Sequence, residues 1–419
     1  MARLALLVLA GLVALMFVGC ATGETGSNVF LNSSGATVDG RVASNVGGPV
    51  QYWVEYGTTT AYGSETPHGT VNVEPNTPTI VFVTISGLAR QTLYHYRLCA
   101  SDAQQGNNGP GCGADRTLVT ESALCNKTIT SSIRLTTNVV CSNDDGPALI
   151  VGADGIDINL AGHRLGVPVT VGGGQSAVLN HGHSDVTIRN GTVDGTIQVD
   201  NASRNLIRDV HASSTGTAVD IVGGAGNEVR ASDLDGRGFA LAIDSDDAVV
   251  ANNDATSSLA PAISVTGERA RIARNRVTAH AGNILTGIQL RGSDGHIVDN
   301  TVTGPWLAGG IVLVAGADNV IAENEVSDIR FPFGPDPQFG DGIVVNAFTA
   351  GTLLRDNLAQ RNDGDGIEVR ANDARLRDNS AFDNRLLGIN AVAGVTDLGG
   401  NRAHGNGTAA QCLNVSCSP

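Results

Sequence analysis

An asparagine returns at nearly the same interval down the second half of the chain, always in the frame apolar-x-x-Asn-x-apolar. The series begins at Asn253, after Val250, and continues at Asn275, Asn300, Asn324, Asn357, Asn379 and Asn401. Its apolar partners are Ile272, Ile297, Ile321, Leu354, Leu376 and Leu398, and its steps are 22, 25, 24, 33, 22 and 22 residues. A period in the low twenties is the mark of a solenoid whose coils stack on one another.

Each period carries a second short apolar segment: Ala262-Ile263-Ser264-Val265, Gly287-Ile288-Gln289-Leu290, Gly310-Ile311-Val312-Leu313, Gly342-Ile343-Val344-Val345 and Gly366-Ile367-Glu368-Val369. Alternation with period two in such short runs predicts strands that bury every other side chain. No stretch holds a helical apolar spacing for three turns. Strands of successive coils then lie about 4.8 Å apart, so like residues stack into ladders. An inward asparagine at a bend satisfies backbone groups that would otherwise be buried unpaired. The spacing therefore predicts an all-β parallel β-helix.

These residues resemble the right-handed parallel β-helix superfamily, whose members include polysaccharide lyases, hydrolases and epimerases. Asp157–Leu165 and Val186–Val193 are similar to its first coils. The likeness spans about residues 120 to 410 and is a likeness of scaffold, which many reactions share. The β-helix is expected over 120–419.

The 54 glycines and the 4% aromatic content suit tight coils filled by small aliphatic side chains. The net charge of −15 and the pI near 4.9 argue against nucleic acid as a partner, since no basic patch is present to displace counterions.

Arg3 precedes an apolar run from Leu4 to Val18, too short for a membrane span but right for a signal peptide over 1–19. Phe17-Val18-Gly19-Cys20-Ala21 resembles a bacterial lipobox, with Phe17 where leucine is usual. The resemblance implies lipidation of Cys20, contact with the membrane through that anchor alone, and a cell-envelope or secreted location. The Gly-, Ser- and Thr-rich residues 20–34 are expected to be a flexible tether. Setting Cys20 aside, six cysteines fall into close pairs, Cys99/Cys112, Cys125/Cys141 and Cys412/Cys417, the even count expected of disulfides in an exported protein.

Residues 35–119 have a different pattern. Four alternating runs, around Val38, Trp53, Val83 and Tyr96, are separated by turn residues and predict a small β-sandwich. The segment resembles a bacterial fibronectin type III domain, with Trp53 at the core tryptophan and Leu88 with Tyr94 at the tyrosine corner. The resemblance implies a spacer.

Chemistry is expected where the repeat is interrupted. The 33-residue step contains an insertion, Ile329 to Asp341, with three of the nine phenylalanines and three prolines. Counting six places past the ladder asparagines puts Trp306, Arg330, Asp363 and Arg385 on one side of consecutive coils, with His280 nearby. Arginine forks a carboxylate and aromatic faces pack on sugar rings, so an extracellular acidic polysaccharide is the expected partner. The leading expectation is a binding groove made by His280, Trp306, Arg330, Phe331, Phe333 and Arg385. The alternatives are an enzyme acting on an acidic glycan, with Asp336, Asp341 and Asp363 as its acids and bases, and a structural or adhesive surface protein. Asp336-Pro337 matches the start of the Asp-Pro-His-Asp of mannuronan epimerases, and the match stops there. Asp341 and Asp365 also have a purely structural reading, as turn caps before their Gly-Ile strands. No cofactor and no metal site are expected. The weaker alternatives are calcium at Asp244-Ser245-Asp246-Asp247 and a metal pair at His181 and His183.

Overall fold

A computed structural model describes residues 20–102, 109–141, 146–167, 176–280, 285–331 and 339–419. The chain divides into two compact units, with the boundary between Ser122 and Ala123. The predicted signal peptide lies outside the described residues.

The first unit is a small all-β domain with nine strands among its described residues: β1 (Ala21–Leu31), β2 (Gly35–Ser44), β3 (Gly48–Gly57), β4 (Ser64–Glu65), β5 (Gly69–Val73), β6 (Thr79–Ser86), β7 (Leu93–Asp102), β8 (Gly111–Cys112) and β9 (Arg116–Val119). One layer is β1–β2–β6, antiparallel throughout. In the other, β3 pairs with β4, β5 and β7, and β7 pairs with β9. The short β8 joins the layers, parallel to β1 and antiparallel to β7. Alternate residues such as Val38, Val42, Val83, Ile85, Tyr96 and Leu98 fill the core between them. Leu88 is buried, and the Ala89 N–H donates to the Tyr94 hydroxyl at 3.0 Å, fixing the corner before β7. Trp53 is buried with the His68 ring stacked on it at 4.1 Å. Cys99 and Cys112 are bonded.

One expectation fails here. Most of the segment read as a tether, residues 20–34, is the strand β1. Its glycines are needed for contact: a Cβ on Gly23 would lie 2.5 Å from the Leu98 carbonyl oxygen. Small residues that suggest flexibility in isolation are here what lets a strand fit between its partners.

The second unit is a parallel solenoid made of a 14-stranded and a 22-stranded sheet. A typical coil contributes one strand to the first sheet, Ile263–Thr266, and two to the second, Arg271–Ala273 and Arg276–Ala279. Asn275 stands at the bend between the last two, and the residue before it, Arg274, takes a left-handed φ of 55°. The same turn recurs at Asn252, Asp299, Glu323, Asp356 and Asp378, and four of these six are the Asn or Asp that tolerate this conformation best.

The ladder runs as the spacing predicts. Asn300 donates both its N–H and its side-chain amide to Asn324 Oδ1 at 3.0 Å, and its amide also reaches the Ile272 carbonyl at 2.9 Å. Two further ladders accompany it: Asn180, Asn205 and Asn227 at the amino-terminal end, and Asn362, Asn384 and Asn406 at the carboxy-terminal end. Inside the tube Ile158, Ile188, Ile207, Val229, Val250, Ile272, Ile297, Ile321, Leu354 and Leu376 stand in register, all buried. Each such side chain stabilises the fold by about 1.5–3 kcal/mol. Disulfides Cys125–Cys141 and Cys412–Cys417 lie near the two ends. Three disulfides mark a chain that folds in an oxidising compartment.

Candidate functional site

The insertion begins beside Asp363. The Asp363 carboxylate accepts Arg330 Nη1 at 3.1 Å on one oxygen and the Phe331 N–H at 3.0 Å on the other. Phe331 stacks on Phe339 with ring centroids 5.1 Å apart, bringing the two ends of the insertion together. Phe333 and Asp336 lie outside the described residues. Arg385 follows Asp363 on the next coil and is exposed; its N–H donates to the Asn362 carbonyl at 2.9 Å. Both oxygens of Asp363 thus hold the start of the insertion.

Trp306 corrects an expectation from the sequence. It is fully buried among the core side chains, and its indole N–H donates to the Thr303 carbonyl at 3.1 Å. The Arg330 N–H bonds to the Gly304 carbonyl, as the Asp363 N–H bonds to the Ile329 carbonyl, which brings Pro305 to the position the count gave to Trp306. Gly304 has a φ of 123°, and the chain then turns inward to place the indole over Gly287. An indole inside the tube cannot stack on a sugar. His280 is also elsewhere: its Nε2 lies 3.1 Å from Asp235 Oδ1, two coils back, beside a cavity of about 330 Å³ lined by Ser213, Thr215, Arg237 and Ser258.

The structure assembles a different group on the outer face of the 14-stranded sheet. Val312, Val344, Glu368 and Asn390 form one column in register. Asp341 and Asp365 stand two residues before the strands Ile343–Val345 and Ile367–Val369. They link coil to coil: the Asp365 N–H donates to Asp341 Oδ1 at 2.7 Å, and the Leu387 N–H donates to Asp365 Oδ1 at 2.8 Å. Asn390 Nδ2 holds the other Asp365 oxygen at 2.7 Å. Both aspartates therefore bridge neighbouring coils and do not cap the turns before their own strands. Close approach of the coils requires Gly364, where a Cβ would fall 2.2 Å from Asp341 Oδ1.

Asp341 has a second partner, the Glu368 side chain. Burial, then the charge of Glu368 and that of Asp365, push the Asp341 carboxyl up to about 8. Two adjacent carboxyls cannot both ionise cheaply in a site this dry, so Asp341 keeps a proton at neutral pH and can donate it in a hydrogen bond. Burial raises Asp365 as well, against the pull of Asn390 and the Leu387 N–H. On the far side of Glu368, Arg370 Nη2 donates to Oε2 at 2.5 Å and Arg370 Nη1 to Asn346 Oδ1 at 3.2 Å. Exposure grades outward: Asp341 is 4% exposed, the Glu368 side chain 18% and that of Arg370 45%. The Glu368 carboxylate therefore touches both a buried acid and a half-exposed guanidinium.

The sequence indicated Asp341 but not Glu368, Arg370 or Asn390. The signal was present in the strand Gly366-Ile367-Glu368-Val369, whose alternation already turns Glu368 outward.

Residues 242–418 match the family described as right handed beta helix region. They form a right-handed β-helix. Among solved structures, the DFA-IIIase of Arthrobacter chlorophenolicus A6 without its lid is 12% identical, with 60% of this chain and 72% of that one covered and a TM-score of 0.39. The catalytic domain of a GH87 alpha-1,3-glucanase is 10% identical over 96% and 98% of the two chains, with a TM-score of 0.30. The family 28 exopolygalacturonase of Yersinia enterocolitica is 10% identical over 95% and 98%, with a TM-score of 0.26. Likenesses at these values carry no argument about the reaction. No curated protein matches the chain.

The other sites weighed from sequence are not brought together in the β-helix. His183 pairs with Asp154 at 3.3 Å and His181 with Asp200 at 3.6 Å, two separate contacts. In the Asp244–Asp247 stretch, Asp247 is forked by Arg269 and Asp246 accepts the Glu268 N–H. Among the described residues the one close group of metal-ligating side chains is Glu55 with Cys99 and Cys112, and both sulfurs belong to a disulfide.

Proposed function

We propose that this chain is an exported β-helix enzyme acting on an acidic extracellular polysaccharide, with Glu368 as the reacting carboxylate. The observation that supports this most is the placing of Glu368, on an outward strand, against the buried Asp341 carboxyl and the Arg370 guanidinium. Hydrolysis by paired carboxyls uses groups held about 5–9 Å apart across the scissile bond. Asp341 and Glu368 instead share a hydrogen bond, which suits one oriented base better than an acid and a base on opposite sides. Arg370 adds a fork for a substrate carboxylate, whose neutralisation acidifies the adjacent carbon–hydrogen bond. Proton abstraction beside a uronate carboxylate, as in a lyase or an epimerase, fits that set.

Binding without bond cleavage is the second reading, favoured by the partly exposed Arg330, Phe331 and Arg385 around the insertion. In either case the amino-terminal unit serves as a fibronectin type III-like spacer. Cys20 is exposed and stands immediately before β1, so an acyl chain on its sulfur would hold that unit directly against a bilayer.

The test is incubation with uronic-acid and neutral polysaccharides, following unsaturated-product absorbance, reducing ends, epimer content and retention on an affinity gel. Product that forms with the natural protein and disappears in Glu368→Gln supports the enzyme. Retention without product, weakened by Arg330→Ala, would replace it with the binding reading.

A further inference from the structure

Phe348 is 84% exposed, more than any other large hydrophobic residue described, Phe82 coming next at 62%. It sits on the turn that follows the strand Ile343–Val345, and that turn is fixed. The Thr349 N–H and hydroxyl both bond the Asn346 carbonyl, at 3.2 and 2.7 Å, and the Gly316 N–H bonds the Phe348 carbonyl at 3.3 Å. Gly316 of the preceding coil pairs with Thr349, and the residue before it, Ala315, pairs with Arg291 of the coil before that, so small and polar neighbours flank the ring and leave it bare. Two residues back, Asn346 Oδ1 holds Arg370, which in turn holds Glu368. A bare aromatic ring on a fixed turn thus lies two residues along the chain from the side chain that holds Arg370.

We propose that Phe348 is the sugar-stacking surface of the Glu368–Arg370 site, receiving the apolar face of a pyranose ring of an acidic glycan. This rests on the reading of Glu368 as the reacting group. The ring offers rigid apolar area with little side-chain freedom to lose, while Arg370 takes the carboxylate of the same polymer. Specificity then comes from two features close together, a ring face for any pyranose and a cation for the uronate.

The test measures retention on immobilised polygalacturonate and on a neutral glucan, with KM and kcat where product forms, for Phe348→Ala, Phe348→Trp and Glu368→Gln. Stacking predicts that Phe348→Ala weakens retention and raises KM about tenfold, the scale of one lost aromatic contact, and that Phe348→Trp restores both. Glu368→Gln should abolish turnover while retaining the polymer. Unchanged retention in Phe348→Ala, with Glu368→Gln inactive, overturns the stacking role and leaves the reaction standing. Turnover that persists in Glu368→Gln overturns the reaction, and the proposal that depends on it. A shift of Phe348→Ala from dimer to monomer in light scattering, with glycan retention intact, would assign the ring to self-association and overturn the proposal.

Discussion

Asn401 Nδ2 donates to Asp397 Oδ1 at 3.0 Å, and this bond ends the central asparagine ladder. Every earlier rung passes its amide to the asparagine of the next coil, and Asn401 has no next rung. Asp397 pairs in register with Leu376, so a carboxylate takes the place that the spacing gave to Leu398, which is itself 49% exposed. The same carboxylate accepts the N–H groups of Gly399 at 2.9 Å and Ser416 at 2.7 Å.

Asp397 should therefore make the end of the solenoid sensitive to acid. Burial favours its neutral form, but the donors of Ser416, Gly399 and Asn401 outweigh it and hold the carboxyl below the usual range. A depressed folded pKa gives stability that is present above the unfolded value of about 3.9 and lost as pH falls through the folded one. Asp397→Ala should cost about 1–2 kcal/mol at pH 7, solvent screening keeping the figure modest. Urea midpoints measured from pH 7 to pH 2 should converge for variant and natural protein at the acid end. Parallel curves throughout would remove the ladder-ending role.

Within the ladder the cost is larger. Asn324 is 1% exposed, accepts two bonds from Asn300 and donates to Asn357 Oδ1, the Ile297 carbonyl and the Ala322 carbonyl. Asn324→Ala strands several of these groups, at about 1–3 kcal/mol each. Asn324→Asp removes the donor and sets a charge against two carbonyls. Both variants should lose about 4 kcal/mol or more in urea unfolding. Asn252→Gly, at an exposed left-handed turn, should change stability by only about 0.5 kcal/mol, because glycine adopts that φ freely.

The main ladder was legible because its asparagine must face inward and its spacing barely varies. The ladder of Asn362, Asn384 and Asn406 has the same period but follows five residues behind, so it reads as part of one repeat. Trp306 was misplaced because the turn after Asn300 brings Pro305, not Trp306, to the level of Arg330, a difference of one residue that no count from the asparagine reveals. The carboxylate pair needed one more fact than the sequence holds. Asp341 and Glu368 are on different coils, and only the pairing of Val344 with Glu368 brings them together. Composition misled in β1, where glycine reports close packing and not freedom.

Asp341 should give the opposite pH dependence to Asp397. Its folded pKa is raised to about 8, with burial the main cause. The native state then holds a proton that the unfolded chain releases near pH 4, so this contribution is full below that value and is lost as pH rises through about 8. Between those limits the natural protein should lose stability with rising pH. Asp341→Asn, which keeps the shape and stays neutral, should flatten the slope in thermal melts taken at steps across that range. An unchanged slope in the variant would place the proton elsewhere.

Trp306 separates packing from recognition. It is the largest fully buried side chain among the described residues, and the bare Gly287 backbone leaves the space its ring fills, the ring lying 3.4 Å from where a Cβ would be. Trp306→Ala should cost about 3–5 kcal/mol through the cavity it leaves. Trp306→Phe should recover part of that loss, leaving the Thr303 carbonyl without its indole donor. Glycan retention, scaled to the folded fraction, should match the natural protein in both variants, because the indole touches no outer surface. Differential scanning calorimetry and affinity retention on the same samples make the comparison. A Trp306→Ala protein that melts normally but no longer retains a glycan would mean that the ring faces outward, returning it to the binding groove first expected from the sequence.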